Sequence, residues 1–141
     1  EFNYRCRAHG YKILMHPDLK TEYFVRESLT DLIKQYYYYG LYKPDVFKLV
    51  PTGKSWYHFI PSLYIIQIPI AIYLSKIDPK FLLPIILYAI ICIFESIRCQ
   101  SSLKMILLSI FVFPCIHFSY GFGFLLGYIR RLNLKKSNLM R

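Results

Sequence analysis

The sequence predicts a mostly α-helical membrane protein, in which the end of an α/β domain precedes two to three transmembrane helices. Residues 59–129 are apolar almost without interruption, 55% of the 141 residues are hydrophobic, and the net charge is +10. A helix needs about 20 apolar residues to cross the hydrocarbon core, with about 17 as the lower limit. The apolar block therefore has room for two or three crossings, and the basic excess suits a membrane surface.

Residues 1–25 have the pattern of the last part of an α/β domain. Residues 1–9 predict the final turns of a helix, and Gly10 is a good terminator for it. Residues 11–15 are a short apolar run and residues 20–25 alternate, so two strands are expected around a turn at residues 16–18. Such a remnant cannot bury a core of its own. Because the first residue is Glu rather than Met, we expect a larger domain upstream.

Residues 26–58 predict an amphipathic helix followed by a linker. Ser28 is placed to cap the helix, and Asp31 three residues later resembles a capping box. One side of the helix is apolar and rich in tyrosine: Leu29, Leu32, Ile33, Tyr36 and Tyr37. Tyrosine favours the membrane–water boundary, so an interfacial helix is expected, ending at Gly40. An ordinary helix packed on the soluble part is the alternative.

The transmembrane region, residues 59–129, divides into three runs. Trp56, Tyr57 and His58 are expected to form an aromatic collar where the first run enters the membrane. Residues 76–80 predict a tight turn that makes a hairpin of the first two runs. Glu95 and Arg98 are spaced for an ion pair within a helix. His117 is expected to be a buried hydrogen-bonding residue that packs helices.

The tail, residues 130–141, is strongly basic and is expected on the cytoplasmic side. Three straight crossings would place it opposite the N-terminal part. A bend of the last run at Pro114 or at residues 121–123 would place both ends in the cytoplasm, which is the topology we expect. Because the tail follows a membrane segment directly, membrane lipids are the expected partner and nucleic acid is not.

Two groups of motifs resemble the membrane-bound family 2 glycosyltransferases of bacterial exopolysaccharide assembly, of the succinoglycan glucosyltransferase type. Those similar to the end of the catalytic domain are residues 1–5 (EFNYR), 10–13 (GYKI), Pro17, 26–29 (RESL) and 35–40 (QYYYYG). Residues 117–127 (HFSYGFGFLLG) are similar to the closing membrane motif of that branch. The resemblance therefore touches both ends of the chain.

The resemblance implies transfer of a sugar from a nucleotide sugar to a lipid-linked saccharide or polysaccharide on the cytoplasmic face of a bacterial membrane. It implies a GT-A-like catalytic domain and a divalent metal, Mg or Mn, whose site would lie upstream of residue 1. Glu1 matches the acidic residue beside the general base. Arg5, Gln35, Tyr38 and Tyr39 are implied as substrate-binding residues. The alternative for the tyrosines at 36–39 is that they only anchor the helix at the membrane boundary.

Related processive synthases carry a Gln-x-x-Arg-Trp signature on the interfacial helix. Here Gln35 is kept and tyrosines replace the arginine and tryptophan, which favours addition of a single sugar. The alternative function is a small membrane anchor or assembly protein without chemistry of its own. A channel or transporter is disfavoured, since no apolar run carries a polar stripe. No cysteine and histidine spacing indicates a metal site.

Overall fold

The computed structural model describes residues 2–49 and 55–139, with side chains for all of these except Tyr4 and residues 133–139. The described residues are mostly helical, as predicted. The α-helices are α1 (Phe2–Ala8), α2 (Leu29–Leu49), α3 (Ile60–Leu74), α4 (Leu83–Cys99) and α5 (Leu103–Leu139). Short 3₁₀ helices at Trp56–Phe59 and Pro79–Leu82 precede α3 and α4.

The N-terminal segment confirms one prediction and corrects another. Helix α1 is present, and Gly10 follows it with a φ of +82°, a conformation that glycine adopts without cost. The two predicted strands are wrong, because residues 11–27 pair with no other segment of the described chain. A two-stranded hairpin is marginal without a face to pack on. Leu14, Met15 and Phe24 are accordingly 84%, 90% and 89% exposed.

Helix α2 begins as predicted and ends later than predicted. The Ser28 hydroxyl accepts the backbone N–H of Asp31 at 3.1 Å and donates to the Asp31 carboxylate at 2.7 Å, so the cap is confirmed. Gly40 does not end the helix, which continues through the buried Pro44 to Leu49. The predicted linker is therefore wrong for residues 41–49. Packing against α5 overrides the low helix propensity of these two residues.

Three helical segments are long and apolar enough to cross a membrane: Trp56–Leu74, Pro79–Cys99 and Leu103–Leu132. Only 6% of the apolar window in the last segment is buried inside the protein. Apolar side chains on so much exposed surface are expected where lipid, not water, is the solvent.

At the end of α4, Arg98 donates to Glu95 at 2.6 and 2.9 Å, which confirms the predicted ion pair.

Helix α5 is the central helix, since α2, α3 and α4 all pack against it. It is helical from Leu103 through Pro114 and Gly121 to Leu139, so the chain does not break at either predicted bend. Residues 130–139 of the basic tail are also part of α5. The sidedness of the N-terminal part and the tail stays a prediction.

Candidate functional site

Helices α2 and α5 touch through glycines. A β-carbon on Gly40 would overlap the carbonyl oxygen of Tyr120 and lie 2.7 Å from the backbone nitrogen of Phe124. A β-carbon on Gly123 would likewise overlap the carbonyl oxygen of Tyr37. Small residues are common where helices in membranes pack closely, because they let the backbones approach. The glycines thus bring the tyrosines of α2 to the surface of α5.

Charged groups fix the later part of α2 on α5. The Arg130 guanidinium pairs with the Asp45 carboxylate, and Arg131 donates to the carbonyl oxygen of Pro44 at 2.6 Å. Contacts advance together along both helices, from Gly40 beside Tyr120 to Asp45 beside Arg130, so α2 and α5 run in the same direction.

The start of α3 packs on the same part of α5. The buried Ser62 hydroxyl donates to the carbonyl oxygen of Gly121 at 3.1 Å. His58 Nδ1 lies 3.3 Å from the Tyr120 hydroxyl. An aromatic cluster fills the space between the three helices: Phe47, Phe59, Phe124 and Tyr128. The junction of α2, α3 and α5 therefore buries Phe47, Ser62 and Phe124.

A polar groove on α2, the Gln35 groove, has a volume of about 410 Å³. Its lining residues are Tyr23, Arg26, Asp31, Lys34, Gln35, Tyr38 and Tyr39. Gln35 Nε2 donates to the Tyr39 hydroxyl at 2.7 Å, which orients both side chains on one helix face. Three of the residues predicted to bind substrate, Gln35, Tyr38 and Tyr39, thus line one groove. The hydrogen bond from the Ser28 hydroxyl lowers the pKa of the Asp31 carboxyl group below its ordinary value, which favours the negatively charged form of Asp31.

The other two candidate residues do not join this groove. Arg5 lies in α1 and is not among the residues that line it. Glu1 lies outside the described residues. Their predicted roles therefore stay predictions.

A second groove, the Lys43 groove, lies beyond Tyr38 and Tyr39, which separate it from the Gln35 groove. It has a volume of about 460 Å³ and is lined by Tyr38, Tyr39, Tyr42, Lys43, Val46, His58 and Tyr120. Burial lowers the pKa of the Lys43 ammonium. The sequence does not predict this groove, because Lys43 falls in the predicted linker and His58 reaches the groove only where α3 packs on α5. The one available signal was that Lys43 follows Tyr39 by four residues, one helical turn.

A third groove, the Tyr88 groove, lies between α3 and α4 and has a volume of about 410 Å³. Its lining residues are Tyr57, Ile60, Pro61, Tyr64, Pro84, Leu87, Tyr88, Ile91 and His117. His117 Nδ1 lies 2.9 Å from the Tyr88 hydroxyl, so His117 does link two helices by a hydrogen bond. Its side chain is exposed rather than buried, which corrects that part of the prediction.

A divalent metal does not fit the described residues. Within residues 2–49 and 55–139, no group of three or more His, Cys, Asp or Glu side chains is arranged to hold one. Asp31, the carboxylate of the Gln35 groove, is already bonded to Ser28 and paired with Lys34. Mg²⁺ and Mn²⁺ need several oxygen ligands. We therefore assign no metal-dependent step to these residues.

Comparison with family models, with curated proteins and with solved structures returned no match.

Proposed function

We propose that this chain is the membrane-anchoring, C-terminal part of a glycosyltransferase that moves a sugar from a nucleotide sugar to a lipid-linked or polysaccharide acceptor. The supporting observation is the contact between the two motifs that carry the resemblance. Residues 35–40 and 117–127 are far apart in the sequence, yet Gly40 lies against Tyr120 and Phe124. The motifs form one packed unit, as parts of one functional surface would.

The Gln35 groove suits a sugar of the acceptor. Tyrosine rings offer apolar faces with a hydroxyl handle, and the Gln35 amide offers a donor and an acceptor for sugar hydroxyls. The hydrogen bond from Gln35 to Tyr39 holds the amide in place before a ligand arrives. In this proposal the groove holds and orients the acceptor near the membrane, which lowers the entropic cost of bringing the reactants together.

Binding of a lipid-linked sugar tests the proposal. The chain would be reconstituted in nanodiscs and its affinity measured for a polyprenyl-diphosphate-linked hexose and for the same lipid without the sugar. We expect tighter binding of the glycosylated lipid, and loss of that difference in Gln35→Ala. Gln100→Ala, the same change at the loop between α4 and α5, is the matched control and should keep the difference. Equal binding of the two lipids by the unaltered chain would overturn the proposal.

A small non-catalytic anchor or assembly protein is the second candidate, favoured by the exposed apolar surfaces of α3, α4 and α5. Both candidates predict no sugar transfer by the 141-residue chain alone. The coding sequence upstream of residue 1 separates them. An in-frame α/β domain with an Asp-x-Asp element supports the transferase, whereas a start codon and promoter at that place support the anchor.

A further inference from the structure

We propose that the Lys43 groove and the Tyr88 groove together bind one anionic phospholipid. The phosphate would lie at Lys43 and His58, and an acyl chain would lie between α3 and α4. The proposal does not depend on sugar transfer, because a non-catalytic anchor would use the same site.

The Lys43 groove contains an uncompensated positive charge. The Lys43 ammonium is half-buried and lies 5.7 Å from the centre of the Phe47 ring. No carboxylate of the described residues pairs with it, since the nearby Asp45 pairs with Arg130. A cation removed from water without a partner is unfavourable. A phosphate in the groove would supply the missing charge.

Two buried side-chain nitrogens near the Lys43 groove lack a hydrogen-bond partner. Within the described residues, the buried side-chain nitrogens without a hydrogen-bond partner are His58 Nε2 and Arg130 Nε. His58 lines the Lys43 groove, and Arg130 lies over the ring of Tyr42, which lines it too, at 5.0 Å. When the Tyr120 hydroxyl donates to His58 Nδ1, Nε2 carries the proton and is a donor. Buried polar groups are normally satisfied, so the unsatisfied His58 Nε2 in this tautomer indicates a place for an acceptor in the groove that His58 lines.

The apolar Tyr88 groove lies next to the charged Lys43 groove. Tyr57 lines the Tyr88 groove, and its ring lies 4.3 Å from that of His58 in the Lys43 groove. The Tyr88 groove is otherwise mainly aliphatic and aromatic, and Tyr88 and His117 satisfy each other there. A charged groove that adjoins an apolar one matches a molecule with a phosphate at one end and a hydrocarbon chain at the other.

The position of the grooves favours a lipid over a soluble phosphate. Both lie at the start of α3, where Trp56 and Tyr57 are exposed. Tryptophan and tyrosine are enriched where helices meet the head-group region. The apolar groove lies between two segments that are long and apolar enough to cross the membrane. A lipid can therefore enter both grooves from the bilayer.

A binding measurement on the whole chain tests the proposal. The purified protein would be stripped of lipid in a non-ionic detergent and titrated with phosphatidylglycerol or phosphatidylcholine, with bound lipid counted by native mass spectrometry. We expect one phosphatidylglycerol to bind at least about tenfold more tightly than phosphatidylcholine, the difference of about one charge-assisted hydrogen bond. Inorganic phosphate at the same concentration should not displace it.

Variants locate the site. Lys43→Gln should weaken phosphatidylglycerol binding about tenfold, and Lys43→Arg should retain most of it. Lys104→Gln removes the same charge from the exposed start of α5 and should bind as the unaltered chain does. Ile91→Trp, which fills the Tyr88 groove, should weaken binding of the lipid without changing the helix content. Elution from gel filtration and circular dichroism establish that each variant is folded.

Three results would overturn the proposal. The first is equal affinity for the two phospholipids. The second is an equal loss of binding in Lys43→Gln and Lys104→Gln, which would show only diffuse attraction to a basic protein. The third is displacement of the lipid by inorganic phosphate at the same concentration, which would show an anion site without a place for the chain.

Discussion

Gly40 of α2 lies directly against the carbonyl oxygen of Tyr120 in α5. No larger residue fits at this position without separating the two helices. The contact brings Tyr120 of α5 beside α2, where it lines the Lys43 groove together with Tyr38 and Tyr39. The Lys43 groove therefore depends on this close approach of two backbones, whereas no residue of α5 lines the Gln35 groove.

Gly40→Ala and Gly123→Ala should each destabilise the protein. Alanine in an open helix stabilises by about 1 kcal/mol relative to glycine. Here the added carbon overlaps backbone atoms, and we expect overpacking to cost about 1–3 kcal/mol instead. Unfolding by SDS of the detergent-solubilised protein measures the change. Lys34→Ala, at an exposed position of the same helix, should be close to neutral, and an equally neutral Gly40→Ala would refute the observed packing.

Ser28→Ala should weaken the first turn of α2. It removes the hydroxyl that accepts the backbone N–H of Asp31 at 3.1 Å. Loss of such a cap costs about 1 kcal/mol. Hydrogen exchange of the amides of Asp31 and Leu32 should accelerate, while exchange near Leu41 should not. Thr21→Ala, which removes an exposed hydroxyl from the segment before α2, is the control. Equal acceleration in both variants would contradict the assignment of Ser28 as the cap.

Low pH should destabilise the first turn of α2. The hydrogen bond from Ser28 lowers the pKa of Asp31 below its ordinary value of 3.8. A carboxyl group whose pKa is lowered by folding stabilises the folded state above its unfolded pKa, and this stabilisation is lost as the pH falls through its folded pKa. Exchange in the first turn of α2 should therefore increase below pH 3.8, after correction for the intrinsic rate. Asp31→Asn should remove this dependence, and a dependence that survives would assign it to another group.

The Asp45–Arg130 pair should couple α2 to α5 weakly. The two side chains are 42% and 37% exposed, so solvent screens much of their attraction. Exposed ion pairs contribute up to about 1 kcal/mol. A cycle of Asp45→Asn, Arg130→Gln and the double variant, measured by SDS unfolding, should give a coupling of that size. Lys48→Gln, which removes an exposed charge from the last turn of α2, should show no coupling to Arg130.

The chain should behave as an integral membrane protein. Its three long apolar segments expose most of their side chains, which water does not solvate well. After cell lysis it should sediment with membranes, resist extraction at alkaline pH and dissolve in detergent. A chain that stays dispersed in buffer without detergent would contradict both proposed functions and the lipid site.

The sequence predicted the elements whose signals are local. Ser28 as a cap, the ion pair of Glu95 with Arg98, and the three apolar segments depend on neighbours within a few residues. Gly40 shows the limit of such reasoning, because its role is set by Tyr120, eighty residues away. The same glycine that predicts a helix end in isolation permits close packing when another helix lies beside it.

The candidate site was predictable in part for the same reason. Gln35, Tyr38 and Tyr39 lie on neighbouring turns of one helix, so their shared groove follows from spacing. Lys43, His58 and Tyr120 come from three helices and meet only in the folded chain. The strands expected within residues 11–25 do not form. A strand needs a partner strand to pair with, and the alternation of polar and apolar residues does not show whether one is present.

Trp56, the only tryptophan in the chain, stands 76% exposed at the start of α3. Its fluorescence therefore reports from one known point of the structure without any added label. Quenching by lipids brominated at graded positions along the acyl chain would measure how deep that point lies. That depth would show whether the entrance to α3 sits at the head groups.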